Sequence, residues 1–216
     1  IELVKLSSEE ILNLGNIVAR IDVSISWSIY AKKYKAVKPN LDESNIFEIE
    51  EGRHPSVEKT HTDNFIANSC RLNNSKTNFF KLITGPNMSG KSTYLRQNAL
   101  ILIMAQSGGF CPANKVSLGV CDKLFCRVGS GDELAKGNST FMVEMIETAN
   151  ILLKATEKSL VVLDEIGRGT STFDGMSLAW ATSEYLIEKI KCKTLFATHY
   201  NQLAEMEKKF NNLELN

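Results

Sequence analysis

Eight consecutive residues, Gly85-Pro86-Asn87-Met88-Ser89-Gly90-Lys91-Ser92, have the spacing G-x-x-x-x-G-K-[ST]. That spacing suits the binding of phosphate. The glycines let the backbone wrap an anion so that its N–H groups point inward. Lys91 brings a positive charge to the β and γ phosphates of a nucleotide, and the Ser92 hydroxyl can coordinate Mg²⁺. A helix opening at this point adds the positive end of its dipole. The competing reading is a plain glycine turn. The strand pattern before the loop and the helical pattern after it weigh against that.

A second cluster supplies acids. The apolar run Leu160-Val161-Val162-Leu163 ends in Asp164-Glu165. In a nucleotide-hydrolysing site the first acid holds Mg²⁺, and the second orients or deprotonates the attacking water. Alone, an acidic pair after an apolar strand is an ordinary strand end; the loop at 85–92 makes it the second half of a site. His199 follows an apolar strand and Thr198, where it can reach a γ-phosphate and sense it. His54 and His61 have no evident partner and are read as a turn and a loop residue. Ser139 opens a helical pattern. It reads either as an N-cap, with Glu144 and Glu147 favouring the helix dipole, or as an anion site facing a γ-phosphate bound by another subunit. Periodicity does not choose between the two.

These groups need a frame. Residues 1–35 read as one helix: Ser7 and Glu10 fit a capping box, and Ile11, Leu14, Ile17, Val18 and Ile21 recur at helical spacing. A linker with Pro39 follows at 32–40. From residue 46 onward, short apolar strands (81–84, 123–128, 160–163, 194–197) alternate with helices (92–106, 141–155, 176–190, 202–210). Such alternation argues for an α/β fold with a mainly parallel sheet flanked by helices. There is no internal repeat and no low-complexity tract.

Composition sets limits. Lys plus Arg number 25 and Asp plus Glu 25, so nucleic acid is not gripped over the whole surface. Binding of DNA is local or lies outside this chain. The five cysteines (Cys70, Cys111, Cys121, Cys126, Cys192) include no C-x-x-C pair, which argues against a zinc site or disulfide framework and for a reducing, cytoplasmic compartment. No apolar run approaches the roughly 18–20 residues needed to cross a bilayer. The N-terminus mixes Glu2, Lys5, Glu9 and Glu10 with apolar residues, unlike a signal peptide. The start at Ile1 suggests a piece excised from a longer protein.

Taken together, the stretches 84–94, 139–145 and 164–175 resemble the MutS family of DNA mismatch-repair ATPases. Glu51-Gly52-Arg53-His54-Pro55 and Ala197-Thr198-His199-Tyr200 are similar too, and the likeness runs over residues 46–216 in the family's order. The resemblance implies a P-loop NTPase of ABC-ATPase type at 41–216, incomplete at its C-terminus. Residues 1–40 would be the linker and the helical end of the lever that joins the ATPase to a DNA clamp. It further implies ATP/ADP and Mg²⁺ as cofactors. Gly85, Pro86, Met88, Ser89, Gly90, Lys91 and Thr93 would surround the phosphates, with Asn87 positioning phosphate or water. Ser92 and Asp164 would hold Mg²⁺, Glu165 would be the catalytic acid/base, and His199 the γ-phosphate sensor. Ser139 would reach the nucleotide of a partner subunit, and Phe65, otherwise an ordinary apolar strand residue, would stack on adenine. Ser89 stands where the family often has Gly.

The partners implied are mismatched double-stranded DNA, bound through upstream domains, a second MutS-like subunit sharing composite ATP sites, and a downstream MutL-like repair protein. Localisation would be nucleoid-associated, or nuclear or organellar in a eukaryote. Two other readings share the site logic: a MutS-like paralogue acting in recombination, and an ABC-type nucleotide-binding subunit of another machine, such as a transporter. The transporter expects an L-S-G-G-Q-like signature where this chain has Ser139-Thr140-Phe141-Met142. A non-hydrolysing, ATP-gated scaffold has no need of Glu165 or His199. As an isolated piece, the chain is expected to bind ATP poorly and turn it over slowly.

Overall fold

The computed structural model describes residues 7–60, 65–73, 78–86, 89–128 and 140–215. Helix α1 (Ser8–Tyr34) comes first and ends where Lys35 adopts a left-handed conformation. It buries none of its residues; Ile11, Leu14, Ile17, Val18 and Ile21 are all exposed. Its start carries no side-chain cap from Ser7, so the capping box read from Ser7 and Glu10 is not formed. Among the described residues nothing buries these apolar side chains, so their helical period marks a stripe and not a core.

Strands β1 (Asn40–Asp42) and β2 (Ile46–Gly52), a single helical turn at Val57–Thr60 and β3 (Asn68–Asn73) follow, then β4 (Phe80–Thr84) leads through the glycine loop into α2 (Lys91–Gln106). Next come β5 (Lys115–Gly119), β6 (Leu124–Arg127), α3 (Thr140–Lys154) and β7 (Leu160–Asp164). Helix α4 (Thr172–Tyr185) runs on as a π turn at Leu186–Ile190, ahead of β8 (Lys193–Thr198). A 3₁₀ helix at Asn201–Lys208 and β9 (Leu213–Leu215) complete the order. Two helices expected from periodicity, at 176–190 and 202–210, thus differ in winding.

Five strands form one sheet in the order β6-β7-β8-β4-β9, and every pairing is parallel. Its central strands are buried on both faces. Leu160 and Val162 of β7 point into a core shared with α2, β2 and β5; Val161 and Leu163 point into a second core with α3, α4 and Phe196. Continuous apolar runs are what a doubly covered parallel strand requires. The four remaining strands form a separate sheet, β1-β5-β2-β3, in which β2 is antiparallel to both neighbours. This second sheet departs from a reading in which one mainly parallel sheet accounts for the strands. Among the described residues no helix is long and apolar enough to cross a membrane.

Candidate nucleotide-binding site

Parallel sheets present ligands at the carboxyl ends of their strands, where helix N-termini converge. Here the register brings three such ends level. Asp164 at the end of β7 pairs with Ala197 of β8, and Thr198 of β8 pairs with Thr84 of β4. One strand therefore separates the acid from the phosphate loop, a span of about 10 Å at two inter-strand spacings. That is the scale of a nucleotide's phosphate tail with its cation.

The loop leaves β4 through Gly85 and enters α2 through Gly90, whose φ of +94° is left-handed and costs a side-chain-bearing residue strain. Lys91, the first residue of α2, is buried. Its ammonium donates to the carbonyl oxygens of Gly85 at 2.7 Å and Pro86 at 2.9 Å. Both bonds fold the lysine back over the loop, so its charge lies where the loop would wrap an anion. Ser92 and Thr93 follow in the first turn of α2, half-buried. A cavity of about 490 Å³ opens beside them, lined by Phe65, Asn68, Ser89, Lys91, Thr93 and Tyr94 among others. Phe65 lies 26 positions before Lys91 in sequence, yet both line one cavity. A larger cavity, about 730 Å³, lies between β3 and β9 and touches none of these loop residues.

Asp164 is 6% exposed, and its Oδ1 has no hydrogen-bond partner. A buried carboxylate oxygen without a partner is costly, and a cation resolves the cost. Asp164 and the Ser92 hydroxyl suit Mg²⁺, which commonly takes one or two carboxylates and completes its shell with phosphate and water. No cluster of three or more His, Cys, Asp or Glu suited to a metal occurs among the described residues.

Glu165 adopts φ +55°, an uncommon backbone for a non-glycine residue, and its amide donates to Ala197 O at 2.9 Å. Its Oε2 accepts from Arg168 Nη1 at 2.9 Å, a guanidinium that is itself largely exposed. His199 lies exposed just past β8, its ring 4.0 Å from that of Tyr200. Asn87, Met88 and Ser139 lie outside the described residues.

Helix α3 departs from expectation at Glu144. Read as an acid near a helix start, it is instead buried, with Oε2 3.8 Å from Arg127 Nη2 and Oε1 accepting the amide of Gly167. Arg127 Nε also lies 2.8 Å from Glu147 Oε2, an ion pair without the alignment of a hydrogen bond. Tyr200 donates its hydroxyl to Gly167 O at 3.0 Å. Sequence offers no signal for these pairings, because the partners are 23 and 33 residues apart. His54, read as a turn residue without a partner, accepts the amides of Ser56 and Val57 at Nδ1. His61 lies outside the described residues.

The model of MutS domain V matches residues 81–216, more than half of the chain. Curated relatives include the DNA mismatch repair protein MutS of Thermodesulfovibrio yellowstonii, 51% identical over 205 residues, covering 92% of this chain and 24% of that protein. The same-named protein of Protochlamydia amoebophila is 54% identical over 205 residues, covering 94% of the chain and 24% of the relative. That of Clostridioides difficile is 50% identical over 203 residues, covering 94% and 21%. The chain spans about a quarter of the length of the curated relatives it matches. The phosphate loop, the acidic strand end and these matches agree, and the chain belongs to the MutS family.

Proposed function

We propose that this chain binds ATP with Mg²⁺ and hydrolyses it, as the ABC-type ATPase part of a protein that couples nucleotide state to recognition of mismatched DNA. The observation that carries this reading is the pairing of a buried lysine on a glycine loop with an unpartnered buried carboxylate one strand away. Lys91 and the loop amides bind the phosphates. Ser92 and Asp164 hold the cation, which neutralises charge developing on the phosphates. Phe65 stacks on the base, and Glu165 orients the attacking water with its carboxylate. His199 contacts the γ-phosphate. Asn87 and Met88 complete the loop, and Ser139 contributes across a dimer interface to the nucleotide of a second MutS-like subunit. DNA contact and a MutL-like partner belong to the protein at its native full length. The relatives above are named for mismatch repair, which favours repair over recombination.

Two substitutions test the roles separately. Lys91→Ala should weaken ATP binding by about 10- to 100-fold in a calorimetric titration, since a charge-assisted contact of roughly 1.5–3 kcal/mol is lost. Glu165→Gln should keep that affinity and abolish turnover in the protein at its native full length. Parental ATP affinity in Lys91→Ala, or parental turnover in Glu165→Gln, defeats the corresponding assignment.

A further inference from the structure

We infer that Glu144 and Tyr200 are positioning residues for Glu165, holding Gly167 by its N–H on one side and its C=O on the other. The inference rests on the proposed role of Glu165 in orienting water. The chain leaving β7 reverses sharply: Glu165 has φ +55° and Gly167 φ +86°, two left-handed residues in three. The left-handed conformation costs a non-glycine residue about 1–2 kcal/mol, so the surroundings must impose this turn. The Glu165 amide is tied to β8 through Ala197 O. Two residues on, the Gly167 amide donates to the Glu144 carboxylate, and Gly167 O accepts from the Tyr200 hydroxyl.

The clamp joins three elements at one point: α3 through Glu144, the turn after β7 through Gly167, and the end of β8 through Tyr200. It is enclosed. Glu144 is 4% exposed and Tyr200 3%. The Glu144 carboxylate is held between the Arg127 guanidinium, 3.8 Å from its Oε2, and the Gly167 amide. A carboxylate bonded to a backbone amide is a strong, directional contact. Burial and the Glu144 charge push the Tyr200 phenol above its usual range, so it remains a donor at neutral pH. Gly167 and Gly175 pack back to back beneath it, leaving no room for a β-carbon at either. On α3 the first-turn residue Phe141 lies against Gly169 as well. Any shift of α3 therefore reaches the Glu165 turn through Glu144.

The test uses Glu144→Gln and Tyr200→Phe, the second removing a single oxygen atom. Amide exchange, followed by NMR without nucleotide, should accelerate about tenfold or more at Gly167 and Glu165 in each variant, with β8 amides unchanged. Parental protection at both residues overturns the clamp. An equal acceleration throughout β7 and β8 overturns it too, by making both residues general stabilisers. In the protein at its native full length, Tyr200→Phe should lower kcat about tenfold and leave KM unchanged. A parental kcat in Tyr200→Phe overturns action through Glu165. If the parent neither binds nor hydrolyses ATP, the proposed function fails, while the exchange result still decides whether Gly167 is clamped.

Discussion

His54 sits on the rim of β2's exit with Nδ1 accepting two backbone amides, a task only a neutral imidazole performs. Burial, aided by the Arg96 charge, lowers its pKa from the ordinary 6.5. A depressed folded pKa means that folding favours the unprotonated form. The associated stability is present in full above about pH 6.5 and is lost as pH falls towards and through the folded value. Urea midpoints taken between neutral and mildly acid pH should therefore fall more steeply for the parent than for His54→Asn, whose amide oxygen accepts at all pH values. Gly175 poses a steric question instead. A β-carbon there would overlap the Tyr200 hydroxyl and the Gly167 carbonyl oxygen. Gly175→Ala should cost about 1–3 kcal/mol in a denaturant titration, as overpacking usually does. At this scale the site was partly legible. Lys91, Asp164 and Glu165 announce themselves by type and spacing, whereas Glu144 looks like any surface acid until its partner Gly167 is in view.

Elements were legible in proportion to how locally they are determined. Strands β7 and β8 are covered on both faces, so they read as apolar runs, and α2 follows its loop in sequence. The sheet of β2 and β3 was not read, although Phe47-Glu48-Ile49-Glu50 alternates buried and outward residues, because its pairing joins residues 16 to 27 positions apart, from Gly52–Asn68 to Ile46–Asn73. Helix α4 shows how a local signal holds an element in place. Ser171 Oγ accepts the Asp174 amide at 3.3 Å and donates to Asp174 Oδ2 at 2.7 Å, closing the helix start just after the Glu165 turn. Ser171→Ala should lower stability by about 1 kcal/mol, the usual cost of a lost cap, while Ser171→Thr, which keeps a hydroxyl to accept and donate, should retain most of it. Thermal unfolding of the two variants provides the comparison.

For the whole molecule, the join between α1 and the rest is narrow. Arg53 Nη2 donates to Tyr34 O at 2.6 Å and its Nε pairs with Glu58 Oε1 at 2.7 Å, while Trp27 packs over Gly109. Arg53→Ala removes the polar half of this join and leaves the Tyr34 carbonyl without that donor. Limited proteolysis should then cut faster within 32–45, with the two cores resisting as before. Equal cutting rates would show that Arg53 is not what secures the helix.

Geometry gives that join a particular consequence. Helix α1 has 27 residues, so at 1.5 Å per residue it is a rod about 40 Å long fastened near one end. Displacement at Ser8 scales with its distance from the join. A tilt of about 5° at Tyr34 carries Ser8 through an arc of roughly 3.5 Å, several times the movement at the base. The arginine that fastens the rod is the residue directly after Gly52, whose β-carbon position is occupied by Gln97 of α2 and Asn68 of β3, both lining the cavity beside Lys91. The join that fastens the rod and the contact with that cavity wall therefore fall on neighbouring residues, Arg53 and Gly52.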